Sequence, residues 1–547
     1  MPLLATLGTV GLGSVPVSAE ISANTTSISE EGGSVTFTVN ATVPNGYVMY
    51  YVVIPVSGTV NSSSFTDSLM SGSFTINSNV GTIVKTAKID SNNTGDVFKV
   101  EIRISSISGP KIAESADVTI TDVLQNHVLK LTTTNIDDVN YGSIDTDPVD
   151  ESYYTAGMTR ISESNTNRVL RIFKFSKQGT LLWGRQVAFN LSGGTTTVNV
   201  GGVRVDGSRN VIAYCSTSSG TGNQRNLFLV KYNSSGTLQW QRNASDTTYN
   251  MRVDAESQCL SIDSSNNIYI SASFSSTDYF SWVAKFNSSG TFQWQRFVSR
   301  SGTNGYDILS NGGCFADSAG NVYITVNGSV NRTDPEIGIV KYNTSGSIQW
   351  QRASVDPNNR SLSSIVGNDS TIIVGGRASI SGTTRAILWA VTTSSGSTSW
   401  VRYSSAGTAT FRHMSPRLDS SNDFYAYHDS TPSLFKISSG ATLRWIRFWT
   451  PTTPPVSFAG SKVYSTGGFF EGYISIARFP NDGSGTGTYT AGGTNFTYAN
   501  RSLTLSSTFL SNTAGTYTNN TFNLVTFSTS SFTSSSVTAV SAAVQGF

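Results

Sequence analysis

One segment of this chain occurs three times almost unchanged. Residues 228–242 read FLVKYNSSGTLQWQR, residues 282–296 read WVAKFNSSGTFQWQR and residues 338–352 read GIVKYNTSGSIQWQR. Weaker copies flank them: IFKFSKQGTLLWGR at 172–185, LWAVTTSSGSTSWVR at 388–402 and LFKISSGATLRWIR at 434–447. The tryptophans Trp183, Trp240, Trp294, Trp350, Trp400 and Trp445 mark the period, with steps of 57, 54, 56, 50 and 45 residues. Self-similarity at this spacing means one supersecondary unit per repeat, each burying its apolar surface against the next.

A second signature lies between the tryptophans. Asp206 opens DGSRNVIAY, Asp263 opens DSSNNIYIS, Asp317 opens DSAGNVYIT and Asp419 opens DSSNDFYAY. Asp followed by small residues and then Asn is turn chemistry, because the carboxylate accepts backbone N–H groups and Gly or Asn tolerates positive φ. Alternating apolar residues follow, the mark of a strand. One unit therefore reads as a strand from Cys259, a tight turn at Asp263, a strand from Ile268, a variable loop, a strand from Trp282, a hairpin turn at Asn287 and a strand from Thr291. Four antiparallel strands at this period make a β-propeller blade. Six tryptophans give six blades. The strand-like runs KVYSTGGFF, GYISIARF and GTYTAGG add a seventh at about 455–490, with the first blade completed from both ends of the region.

Composition agrees with an all-β chain. Charged residues make up 13% against about 25% in an ordinary globular protein, and Ser, Thr, Gly and Asn fill the gap. Aromatics at 11% are too many for disorder. A net charge of +2 without a basic stripe excludes nucleic acid as a partner. No run of about 20 apolar residues exists to cross a membrane as a helix, so no membrane insertion is expected. Cys215, Cys259 and Cys314 sit in strand-like runs and are expected to be buried thiols rather than a disulfide framework.

The flanks differ from the repeats. Residues 1–19 are apolar, lack a basic start and are broken by Pro and Gly, which reads as a docking arm rather than a signal peptide. Residues 20–123 hold six or seven alternating runs separated by turn residues, an immunoglobulin-like sandwich. Residues 124–149 read as a linker and 150–490 as the propeller. In 491–547 the stretch from Ser502 onward has no Asp, Glu, Lys or Arg, so this β-rich tail is expected to be an assembly segment buried against another chain.

A search for chemistry is negative. His127, His413 and His428 lack metal-ligand spacing, and no nucleophile elbow or phosphate-binding loop occurs. No catalytic residue, metal or cofactor is expected. The repeated Asp and Trp recur in phase with the fold and are read as scaffold. Binding is expected on the face of the unrepeated loops, where a rigid frame presents variable residues. Arg225, Tyr249, Tyr279 and Arg332 are the candidates there, side chains suited to sugar or protein contacts.

Three resemblances add to this. The pattern D-x-x-G-N-V-Y followed by K-Y-N-x-S-G-x-x-x-W resembles short β-propeller repeats of secreted and viral proteins. The sandwich, with GGSVTFTV after Glu31 and DVFKVEIR late, resembles Calx-β modules. Such modules can hold calcium, but Glu30, Glu31, Asp90 and Asp122 are too few and scattered for that. The opening MPLLATLG, with the sandwich strand GSFTIN, resembles structural proteins of tailed-bacteriophage virions. This last resemblance implies a virion component, tail-associated (fibre, baseplate or tail tip), that contacts other virion proteins, copies of itself and a host-surface glycan or protein. A capsid decoration protein and a secreted bacterial adhesin or propeller hydrolase are the alternatives.

Overall fold

The computed structural model describes residues 17–546 apart from 31, 89–95, 122–126, 133–139, 163–164, 190–195, 220–224, 246–249, 254–257, 276–278, 301–309, 331–333, 356–360, 381, 405–409, 413, 429–432, 451–455, 460–461, 469–473, 481, 483–486, 492–493, 501–504, 508–512, 515–516, 521–526, 529–532 and 537–540. Beside these gaps, and for nearly all of 480–546, it describes the backbone alone. The chain divides into two units at Gln125 and Asn126.

The first unit is a two-sheet sandwich. One sheet has the order Ala19–Ala23, Ser34–Ala41, Val80–Thr86. The other runs Ser27–Ser29, Val118–Thr121, Asp96–Arg103, Tyr47–Ser57, Ser71–Ile76, with Lys111–Glu114 beside Asp96–Arg103. Alternation does the sorting: Val35, Phe37 and Val39 point inward from one sheet, and Phe98, Val100 and Ile102 from the other. Phe98 packs edge-on to Phe37 and Phe65, at 6.2 and 5.1 Å between ring centres. Lys85 also points inward. Its Nζ donates to Asp67 Oδ1 and Oδ2 at 2.8 Å and to Leu69 O at 2.6 Å, and lies 4.4 Å from the Phe65 ring centre, so this buried charge is fully provided for. Of the acidic residues weighed for calcium, Glu30 is buried and Glu31, Asp90 and Asp122 lie outside the described residues.

The second unit is a β-propeller. Its described strands form seven sheets, each with four strands a to d from the axis outward. Blade 1 is Asn140–Thr146, Tyr153–Ser162, Asn165–Phe175 and Leu181–Ala188. Blade 2 is Thr196–Val205, Val211–Ser219, Arg225–Tyr232 and Leu238–Ser245. Blade 3 has its strand a in two pieces, Asn250–Arg252 and Leu260–Ile262, both paired with Ile268–Ser275, followed by Tyr279–Phe286 and Phe292–Arg300. Blade 4 is Ser310–Ala316, Val322–Val330, Asp334–Tyr342 and Ile348–Val355. Blade 5 is Ser361–Gly367, Thr371–Ile380, Thr383–Thr392 and Thr398–Ser404. Blade 6 is Phe411–Arg412, Asp423–His428, Ser433–Ser438 and Leu443–Thr450.

Blade 7 corrects two expectations. Its strands a to c are Val456–Ala459, Lys462–Gly468 and Ile474–Pro480, and its strand d is His127–Thr132. The blade of mixed origin is thus the last one, not the first. The stretch 124–149 is not a plain linker, since it carries this closing strand and strand a of blade 1. Joining the first and last strands of the propeller segment in one sheet closes the ring by hydrogen bonds between its two end blades.

The tail departs most from expectation. Its strands are added outside strand d of every blade, in reverse order around the ring. Thr494–Asn500 pairs with blade 6 and itself carries Gly487–Ala491, so the run GTYTAGG expected in blade 7 lies instead at the outer edge of blade 6. Leu505–Ser507 follows on blade 5, Thr513–Ala514 on blade 4, Tyr517–Asn520 on blade 3, Phe527–Ser528 on blade 2 and Thr533–Ser536 on blade 1. Ser541–Gly546 ends the circuit on blade 7. The uncharged segment expected to be covered by another chain is a belt on its own propeller. Its backbone pairs with seven outer strands, and the edges left behind are short, one of the ways a sheet avoids pairing with strangers.

Candidate functional site

The repeated residues build a latch between neighbouring blades. The Trp of one strand d donates its indole N–H to a carbonyl in the c–d turn of the next blade: Trp183 to Ser234 O at 3.0 Å, Trp294 to Thr344 O at 2.9 Å, Trp350 to Thr393 O at 2.9 Å and Trp400 to Ser439 O at 2.8 Å. The strand c lysine reaches the same atom, as Lys285 does at Thr344 O (3.3 Å) and Lys341 at Thr393 O (2.9 Å). The arginine two residues after the Trp lies against the indole and donates to the turn's glycine carbonyl, Arg296 Nε to Gly346 O at 2.7 Å. That glycine is required twice over. Gly346 has φ +77°, and an added Cβ would sit 2.9 Å from Trp294 and Arg296. The motif K-Y-N-x-S-G-x-x-Q-W-Q-R is therefore an interlock whose two halves sit on successive blades.

The repeated Asp residues are turn-formers. Asp263 Oδ1 accepts the backbone N–H groups of Ser265 and Asn267 at 2.9 Å each, and Oδ2 accepts from the Asn267 amide and the Tyr269 hydroxyl. Asp317 and Asp419 repeat this pattern. Burial and the nearby Asp263 carboxylate push the Tyr269 phenol well above its ordinary range, so it stays a neutral donor.

Of the loop candidates, Arg225 and Tyr279 each open strand c of their blade, in blades 2 and 3, at the end where the b–c loops lie. Their side chains, and Tyr249 and Arg332 altogether, lie outside the described residues. His428 is buried in blade 6, its Nε2 3.0 Å from Ser404 Oγ and its ring against Phe411 and Phe435. His127 contributes backbone to blade 7, and His413 lies outside the described residues. The three cysteines form no disulfide and are buried, and burial pushes the Cys314 thiol up to about 12. Among the described residues no cluster of three His, Cys, Asp or Glu could hold a metal ion.

A different site stands at the propeller axis. Each strand a ends in the a–b turn. The residue two before the turn Asp lines a cavity of about 280 Å³: Asp145 in blade 1, Arg204 in blade 2, Ser261 in blade 3, Phe315 in blade 4 and Arg417 in blade 6. Ile262, Pro416 and Leu418 supply apolar wall, and Asn368 and Asn422 lie at the turns. The cavity opens on the face of the a–b turns, at the opposite end of the strands from the b–c loops.

The charges there are unequally satisfied. Asp145 is buried and saturated: it accepts from Thr146 N at 2.9 Å, Val205 N at 2.9 Å, Arg417 Nη2 at 2.7 Å and Ser457 Oγ at 3.1 Å. Arg417 also donates to Thr146 O at 2.7 Å. Asp419 takes two backbone N–H groups and pairs with Lys436 at 3.1 Å. Neither carboxylate is free to serve as acid or base. Arg204 differs. Its residue is 7% exposed, yet among the described residues its guanidinium makes a single hydrogen bond, from Nη1 to its neighbour's carbonyl Val203 O at 2.7 Å. Burial pulls its pKa below the ordinary value, against the pull of Asp145, with Arg417 adding repulsion. A guanidinium remains charged nonetheless. Reading the repeat missed these residues because variation was sought in loops. The signal was there: one position of each repeat, two before the turn Asp, changes type from blade to blade.

No protein-family model matches the chain, and no curated protein does. Among solved structures it is similar to a Hadza microbial sialidase, Hz136, at 7% identity and TM-score 0.33, over 85% of this chain and 92% of that one. A protein of unknown function from Dyadobacter fermentans gives 7% identity and TM-score 0.30 over 64% and 98%. The WD40 domain of SCAP from fission yeast gives 9% and 0.29 over 65% and 98%. Similarity this distant carries no functional weight, and the chain's architecture stands on its own strand order: a sandwich, then a seven-bladed propeller bound by its own tail.

Proposed function

We propose that this chain is a non-catalytic structural component of a bacteriophage virion, tail-associated, that displays its propeller for attachment to a host surface. The observation that carries the reading furthest is the belt. A propeller latched between blades and then circled by its own C-terminal segment is built to stay folded where nothing replaces it. Unfolding any blade requires stripping a strand whose chain continues onto the next. The saturated carboxylates at the axis favour holding a ligand over transforming one. The sequence resemblances to virion proteins supply the particle, and other virion proteins and copies of itself are the partners this implies.

Mass spectrometry and antibody labelling of purified particles test it. Stoichiometric presence with label at the tail, and antibodies to the propeller that block adsorption, are the expected results. Label confined to the head would make it a capsid decoration protein. A soluble monomer that binds neither virion parts nor cells would overturn the reading, as would polysaccharide cleavage abolished by a single carboxylate substitution.

A further inference from the structure

We infer that the axial cavity is a binding site for a small carboxylate, with Arg204 as its anchor. The case rests on charge arithmetic at named atoms. Arg417 is matched by Asp145, and Asp419 by Lys436. Among the described residues Arg204 has no carboxylate at ion-pair distance, Asp145 acting on it only from further off, and apart from the bond to Val203 O its guanidinium donors meet no protein acceptor. A buried charge left in this state is costly, and the same chain shows how it satisfies one: Lys85, fully buried, has a carboxylate, a carbonyl and an aromatic face. At the axis those places are taken by open cavity.

The chemistry of the ligand follows. A planar guanidinium with free donors matches a carboxylate in two-pronged fashion. The site carries one uncompensated positive charge, so a monoanion neutralises it, whereas a phosphate ester would bring a second negative charge beside Asp145. The wall of Ile262, Phe315 and Leu418 suits a body with an apolar face. A volume of about 280 Å³ admits something near one sugar ring or one small aromatic acid.

The test uses the full chain and ligands that differ in charge alone. Acetate, benzoate and glucuronate are titrated by calorimetry and by ligand-observed NMR up to high millimolar concentration, beside glucuronamide, which keeps the shape and loses the charge. At least one carboxylate is expected to bind, and glucuronamide to bind about tenfold or more weakly than glucuronate, the worth of a charged hydrogen bond. Arg204→Met, which keeps an unbranched apolar stem and removes the guanidinium, should abolish carboxylate binding while its melting curve stays native-like. Should that variant fail to fold, the acid and amide pair on the native chain still decides. Binding by none of the carboxylates, equal binding of acid and amide, retention by folded Arg204→Met, or tighter binding of glucose 1-phosphate than of glucuronate would each overturn the inference. Binding at the axis concerns the molecule whatever it is attached to, so a failed titration leaves the virion reading untouched.

Discussion

The rim and the axis of the propeller are built from the same repeat and obey opposite rules. At the rim most joint positions repeat from blade to blade, the exceptions being Ala390 for the lysine of blade 5, Ala441 for the turn glycine of blade 6 and a blade 7 without the tryptophan. Trp, Arg, Lys and Gly recur because each is half of a contact whose other half is on the next blade, as in Trp294 with Thr344 O and Gly346. At the axis the equivalent position holds Asp145, Arg204, Ser261, Phe315 and Arg417 in turn. A ring of side chains converging on one point cannot repeat a charge without repelling itself. The difference teaches where stability and binding are kept apart: repetition marks the joints, and its local failure marks the cavity.

The sharpest way to break the rim is to remove the belt. Deleting residues 487–547 leaves strand d of all seven blades as an open edge. Domain stability is only about 5–15 kcal/mol in total, so the truncated chain is expected to aggregate or to lose its cooperative melt, read by size-exclusion chromatography and calorimetry. A truncated chain that melts like the full one would mean the belt is ornamental.

Single joints cost less. Trp294→Ala removes a nearly buried indole, its bond to Thr344 O and the support under Arg296, and should cost about 3–5 kcal/mol by denaturant unfolding. Asp145→Ala should cost less, about 2–3 kcal/mol, because it leaves the Val205 N–H and the Ser457 hydroxyl without their acceptor, while Arg417 is partly exposed and keeps Thr146 O. Gly346→Ala, forced into φ +77° and against Trp294, should cost about 1–2 kcal/mol. Arg204→Met reverses the sign. Replacing an unmatched buried charge by an unbranched apolar chain should leave stability unchanged or raise it by about 1 kcal/mol. If Arg204→Met destabilises as much as Trp294→Ala, the axial arginine is scaffold and the contrast with the rim fails.

How much of this was legible follows from the same contrast. The period, the turn Asp and the joint Trp were readable because each recurs in phase, and two strands of blade 7, Lys462–Gly468 and Ile474–Pro480, were readable as strand-like runs. Strand His127–Thr132 was not, because nothing local says that a strand will pair with Ile474–Pro480 at the far end of the ring. The belt was hidden for a related reason. Strands as short as Thr513–Ala514 have too few residues to show a period, and their pairing is set by the topology that brings the chain past each blade. The lack of charge from Ser502 onward was visible, but sequence cannot say whose backbone the segment meets, and it meets its own propeller's. Arg204 lay inside a motif already recognised, and its neighbours' regularity drew attention away from it.

Between rim and axis lies a third set of contacts, from one a–b turn to the next, and it gives the smallest effect. Asp369, next to the turn residue Asn368 of blade 5, accepts from Ser318 N at 2.9 Å and Ser318 Oγ at 2.6 Å in blade 4. These bonds hold its carboxyl below the ordinary value of 3.8. A depressed pKa means the contribution is fully present above the unfolded-state value and is lost as pH falls through the folded one. Acidification below about pH 4 should therefore remove it. The group is mostly exposed and its bonds compete with water, so the loss should be no more than about 0.5 kcal/mol. Asp369→Asn keeps the shape and removes the titration. Melting temperatures of the two proteins, compared from neutral pH downward, should differ slightly at pH 7 and converge in acid. If they stay parallel, the turn-to-turn contact contributes through shape alone, and the propeller's face is held by its rim and its axis.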